Sequence, residues 1–151
     1  MVRAEAEVLN KDYNAALTDI NTELSAMSGS KFSVTLDGIK SFYSHLNYYT
    51  PTAPTPKKKL NPTFIALDPI TQEPMIQTIL QLRRILTLGE GQRLQDIKRY
   101  GIVIYRRTLD RSSHVEAVTD SMVVNDPRRA IQLPQDVISA GLEGNPRYRD
   151  W

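Results

Sequence analysis

Two histidines, no cysteine and scattered carboxylates are the reactive side chains this sequence offers. His45 lies in Ser44-His45-Leu46, between apolar positions at helical spacing. His114 opens a β-branched run beside Ser112, Ser113 and Glu116. A serine adjacent to a histidine in sequence is not a dyad, because triads are assembled in space. Without cysteine there is no disulfide, thiolate nucleophile or zinc–cysteine site. H-E-x-x-H, G-x-S-x-G and EF-hand patterns are absent. Gly89-Glu90-Gly91 precedes a helical stretch, but Glu90 would repel a phosphate, and the cluster reads as a helix connector. Asp110 with Glu116 lacks the signs of a paired-carboxylate site, and Asp120 with Asp126 lacks metal-ligand spacing. The expectation is a protein that is not an enzyme and binds no cofactor or metal.

The basic residues are more regularly placed. Lys57-Lys58-Lys59, Arg83-Arg84, Lys98-Arg99, Arg106-Arg107 and Arg128-Arg129 all fall after residue 50. The first fifty residues carry four Lys/Arg against six Asp/Glu, and the remainder carry fifteen against eleven. Were several clusters to share a face, Lys57, Lys58, Lys59, Arg106, Arg128 and Arg129 would meet phosphates and bind nucleic acid with strong salt dependence. Arg106 and Arg107 point to opposite strand faces, so one of them at most joins such a patch. The net charge is only +2. Aromatic interleaving is poor, so solvated faces and intersubunit ion pairs are the favoured reading and nucleic acid the alternative.

Aromatics gather at two places. Tyr48 and Tyr49 precede a run of prolines, and Tyr148 and Trp151 close the chain. Tyr, Trp and Arg are the residues that anchor interfaces. Candidate contact residues are therefore Tyr48, Tyr49, Pro51, Pro54, Pro56, Lys57, Lys58, Lys59, Tyr148 and Trp151.

The elements that must position these residues predict an α+β chain. Residues 3–27 read as one amphipathic helix whose seam runs Val2, Ala6, Leu9, Tyr13, Ala16 and Ile20. Residues 31–36 alternate like a half-buried strand, and Asp37 offers an N-cap for a short helix through Leu46. Residues 51–62 hold Pro51, Pro54, Pro56 and Pro62 with three lysines, which predicts an extended arm, mobile if nothing holds it. Residues 63–67 read as a short strand. A central apolar helix is expected near 72–88, with Met75, Ile76, Ile79, Leu80, Leu82, Ile85 and Leu86 inward, and a shorter helix over 91–100. Residues 102–124 read as a hairpin within a small antiparallel sheet, with a bulge near Ala117-Val118. A further strand over 131–133 and a helical turn or two over 134–142 complete the reading. It divides into a helical segment with a strand (1–50), the arm (51–62), an α+β core (63–142) and a tail (143–151).

Apolar runs are too short for a membrane-spanning helix, and the first residues do not resemble a secretory signal. These features suggest a soluble chain synthesised in the cytoplasm that acts by contact with other protein chains, copies of itself included. An extended arm on a modest body suits a structural or assembly subunit of a large particle. The expectation is a phage-like capsid, neck, tail or baseplate component, associated with the virion.

Overall fold

The computed structural model describes residues 1–145. Six helices and one hairpin follow in the order α1 (Val2–Leu9), α2 (Tyr13–Ser28), α3 (Leu36–Ser44), α4 (Gln72–Leu86), α5 (Arg93–Arg99), β1 (Ile104–Leu109), β2 (Val115–Met122) and α6 (Gln135–Ser139). A single 3₁₀ turn, Pro127–Arg129, lies between β2 and α6. The architecture is α+β with a small antiparallel sheet, as expected.

The first predicted helix is two. Lys11 takes a left-handed backbone (φ 65°) between them. Asp12 then restarts the helix, its carboxylate accepting from the Ala15 N–H at 3.2 Å. The break changes the phase of the seam. Ala4, Glu5 and Val8 of α1 turn inward, while Val2 is exposed. Downstream of the break Ala16 and Ile20 are buried as expected. Gly29 ends α2 in the left-handed conformation (φ 64°), which its missing Cβ makes inexpensive.

Residues 31–35 form no strand. They run extended along α2, and side chains replace the partner strand. Asn21 donates from Nδ2 to the Val34 carbonyl at 3.0 Å and accepts the Val34 N–H on Oδ1 at 2.7 Å. Ser25 donates to the Phe32 carbonyl. Thr35, rather than Asp37, caps α3, accepting from the Gly38 N–H at 3.1 Å. Residues 63–67 and 131–133 are likewise outside any strand, so the sheet consists of β1 and β2 alone.

The core gathers around α4, which packs on α1 and on α3. Ala4, Val8, Ile20 and Ile39 meet Met75, Ile76, Ile79, Leu80, Tyr100 and Ile102 in one buried cluster. Residues of the 1–50 segment and of the 63–142 region thus share one cluster. Pro74 is tolerated because it sits in the first turn of α4, where its missing N–H has no intrahelical partner to lose. Ile85 and Leu86 are exposed, although the apolar stripe placed them inward. β1 and β2 pair from Ile104↔Met122 to Leu109↔Val115, with register shifts on both sides of the Arg107↔Val118 and Thr108↔Ala117 pairs. The expected irregularity at Ala117-Val118 is thus present.

Candidate functional site

Two surfaces of the described residues have the makings of a site: an apolar cleft between α2, α3 and α4, and the cation-rich seat of the proline arm.

The cleft follows from the missing strand. Because residues 31–35 lie along α2 instead of joining a sheet, Phe32 and Val34 wall one side of a hollow. Leu24, Ile39, Phe42 and Leu82 complete its apolar lining, and the space is about 480 Å³. Thr78 and Gln81 of α4 supply its polar edge. Phe32 and Phe42 are about half exposed, 51% and 56%. Phe42 meets the buried Tyr43 ring edge-on at 5.1 Å, which holds the exposed ring in place. Tyr43 is the one titratable side chain in the lining, and burial raises its phenol above the ordinary range. Ser33, Thr35 and Thr78 bring hydroxyls to the lining, but no histidine, carboxylate, lysine or arginine is among the described residues that form it, so its character is chiefly that of apolar contact.

The arm is fastened to its own domain. Tyr49 donates its N–H to the Lys57 carbonyl at 2.7 Å, closing residues 50–56 into a loop. Gln77 of α4 holds the Lys58 backbone at both groups: its Oε1 accepts the Lys58 N–H at 3.2 Å, and its Nε2 donates to the Lys58 carbonyl. Farther along, the Asn61 N–H donates to the Tyr100 carbonyl at 2.8 Å. Arg107 clamps the loop from β1. It donates to the Pro51 carbonyl at 2.6 Å, to the Thr50 carbonyl at 2.6 Å and to the Tyr49 hydroxyl at 2.7 Å. The expected reach of the arm is therefore spent within the chain.

The lysines of the arm differ in environment. Lys57 donates to the Tyr43 carbonyl at 3.0 Å and lies 4.3 Å over the Tyr48 ring. Lys58 is half-buried, donates to the Thr55 carbonyl at 2.9 Å and sits 3.5 Å over the Tyr49 ring. Burial, with Arg93, Arg84 and Arg107 nearby, pushes its ammonium down to about 8. Lys59 is exposed. Tyr48 bonds Glu73, and Pro51, Pro54 and Pro56 line the exposed outer rim of the loop.

The remaining basic residues do not form one patch. Arg129 is buried and donates to the carbonyls of Ile97, Ile102 and Met122. Arg128 bonds Asp120 at 2.6 Å and Asp126 at 2.7 Å, and these carboxylates hold it firmly charged. Both are structural fasteners, which removes them from the phosphate-facing set that their sequence suggested. Arg106 is exposed and opposite Asp120 in register. Tyr148 and Trp151 lie outside the described residues.

Sequence reading missed the buried charges. Glu5 of α1 accepts from Arg83, from Arg99 at 2.9 Å and from the Tyr100 hydroxyl at 2.5 Å. Arg83 also reaches Asp96 at 2.6 Å. Burial opposes ionisation of Glu5, yet its three donors hold its carboxyl below the usual range. The break at Lys11 that turns Glu5 inward is seen in the backbone and has no counterpart in the apolar spacing of the sequence. Comparison with protein-family models, with curated proteins and with solved structures returned no match.

Proposed function

We propose that this chain is a non-catalytic assembly module that docks other polypeptide through the cleft between α2, α3 and α4. The observation that carries the reading is the pair Phe32 and Phe42, half-exposed aromatics on the two sides of an apolar hollow. Large exposed apolar groups grouped in one place are characteristic of interaction surfaces. Ile85, half exposed and one turn beyond Leu82 on α4, extends the same face. The lining offers no acid–base pair, which favours contact over catalysis.

A particle subunit is one form of such a module. Its narrower placing in a phage-like capsid, neck, tail or baseplate rested on an arm reaching neighbours. With the arm bonded to Gln77, Tyr100 and Arg107 of its own chain, support moves from the arm to the cleft.

The occupant favoured is a second copy of the chain, and light scattering after size exclusion tests it. Concentration-dependent association is expected, with Phe42→Glu shifting the protein to monomer while its circular dichroism is retained. A wild-type protein that stays monomeric at every concentration, or association indifferent to Phe42→Glu and Phe32→Ser alike, would overturn the reading.

A further inference from the structure

We propose that the apolar face at the tip of the β1–β2 hairpin is the part of a second copy that enters the cleft between α2, α3 and α4. The inference rests on the reading of the cleft as a self-docking surface and names what fills it. The hairpin face follows from the register. Tyr105, Arg107 and Leu109 alternate along β1, and their partners on β2 are Ser121, Val118 and Val115. Side chains directly opposite one another in an antiparallel pair share a face, so these six stand on one side of the ribbon. Beyond Ile104 and Met122, the other side carries Arg106, Thr108, Ala117 and Asp120 and is mostly polar.

The ribbon is packed over only part of its length. Near the body, the arm covers the first side: the Tyr49 and Tyr105 rings lie 5.4 Å apart, and Arg107 donates to Tyr49, Thr50 and Pro51. Beyond Arg107 the face is open. From Thr108 to Thr119 every residue but Val115 is exposed, so the tip projects. Leu109 is 56% and Val118 38% exposed. α1 and α3 pack on α4, whereas no described helix packs on the hairpin to that extent. A two-stranded ribbon alone is marginal in water and gains stability from a third strand or from a helix against its apolar face. The helices that wall the cleft of a neighbouring copy meet that need.

Cleft and tip complement each other in shape and in charge. A hollow of about 480 Å³ set against its own image across a two-fold axis would leave two hollows facing, with the contacts of their linings unmade. A projection fills it instead. Ile70, Leu88 and Ile131 are also exposed, but each is a single residue of a loop or turn, while the hairpin presents Leu109, Val115 and Val118 together. No charged side chain is among the described residues that line the cleft. On the hairpin face the one charge is Arg107, and each of its three nitrogens already has an acceptor. Joining the two surfaces therefore buries apolar area without stranding a charge. Such a contact closes as a dimer in which each tip fills the other's cleft, or runs on as a ring or filament.

The test is sedimentation velocity on the full chain over a range of concentrations. Leu109→Thr combined with Val118→Thr keeps β-branched residues on the strands and should weaken self-association about tenfold or more, the worth of burying one aliphatic side chain. Ala117→Thr, on the opposite side of the ribbon, should leave it unchanged. Mixing then separates tip-to-cleft contact from cleft-to-cleft contact. Phe42→Glu keeps the tip and loses the cleft, while the Leu109→Thr/Val118→Thr variant keeps the cleft and loses the tip. At a concentration where the wild type is associated and each variant alone is monomeric, equal amounts of the two should form a dimer and stop there, through the one intact pair of surfaces. A wild-type protein that stays monomeric overturns this inference together with the reading beneath it. Association that Phe42→Glu abolishes and the hairpin variant leaves intact overturns the inference alone and assigns the cleft to another part of the second copy. So does a mixture that stays monomeric while both variants retain their circular dichroism.

Discussion

At the scale of single residues, the strongest statements concern charges that the fold has taken out of water. Arg129 is 5% exposed and has three backbone carbonyls as partners, one from the end of α5, one just beyond it and one from β2. It ties the hairpin to α5, and at Ile97 it shares the carbonyl with the Ile102 N–H, which donates at 3.0 Å. Arg129→Met keeps much of the stem but takes the guanidinium donors from all three carbonyls, leaving that of Ile97 with the Ile102 N–H alone. A loss of roughly 2–4 kcal/mol is expected in urea unfolding, from buried groups left without donors. A change under about 0.5 kcal/mol, the range of an ordinary surface substitution, would show that water takes over the role. Glu5→Gln is a second case. It keeps the shape but leaves Arg83 and Arg99 short of a counter-charge, and a cost on the order of 3 kcal/mol is expected for breaking a buried pair. Neither residue announced itself in the sequence, since Arg128-Arg129 looks like any basic pair on a surface.

At the scale of elements, what was legible was local and what was not depended on partners. The α4 stripe, the hairpin and its bulge can be read from periodicity and β-branching, because those patterns arise within the segment itself. The strand expected over 31–36 had the right alternation, yet it found the side chains of Asn21 and Ser25 instead of a second strand. Alternation indicates extended backbone with one buried face; it does not name what satisfies the backbone. The arm shows the same limit. Prolines keep it out of helix and sheet, but residues 50–56 fold back into a loop instead of extending, and the docking depends on Gln77, Tyr100 and Arg107, far away in sequence. The cleft was invisible for the same reason, being made by elements that meet only after folding. Gly101 makes the arm's docking testable. Its φ is +55°, and a Cβ there would lie 2.5 Å from the Asn61 carbonyl oxygen, a backbone atom that cannot swing aside. Gly101→Ala is therefore expected to destabilise by more than about 1 kcal/mol, strain and clash acting together. It should also speed proteolysis after Lys57, Lys58 or Lys59 under native conditions. Unchanged cleavage would mean that the arm is held without the Asn61 contact.

At the scale of the whole molecule, the titrating groups combine into a stability profile whose limbs have separate origins. Glu5, Asp19, Asp68, Asp120 and Asp126 all have carboxyls held below their ordinary values, Glu5 by Tyr100 and Arg83 against burial, Asp19 by Arg3, Asp68 by backbone donors and the last two by Arg128. Asp126 is the one of these five with a defined value, about 2 against an ordinary 3.8. For such groups the unfolded chain binds more protons between the two pKa values, so stability rises with pH there. The contribution is complete above the ordinary carboxylate range and is lost as pH falls toward 2. Lys58 acts at the other end. Its pKa falls to about 8 on folding from 10.5, so again the unfolded chain holds more protons and stability rises between those values. Half-exposed as it is, the gain is about 1 kcal/mol after solvent screening. The phenols oppose it at higher pH. Tyr43 and Tyr100 have raised pKa values, chiefly through burial, so above their ordinary 10.0 the unfolded chain loses protons first and stability falls. Urea midpoints measured across pH should therefore climb from acid to a plateau, rise again modestly between 8 and 10, and then drop. Lys58→Gln should flatten the second rise and leave the acid limb where it was. A second rise that persists in Lys58→Gln would assign it to another group and remove Lys58 as the strained cation of the fold.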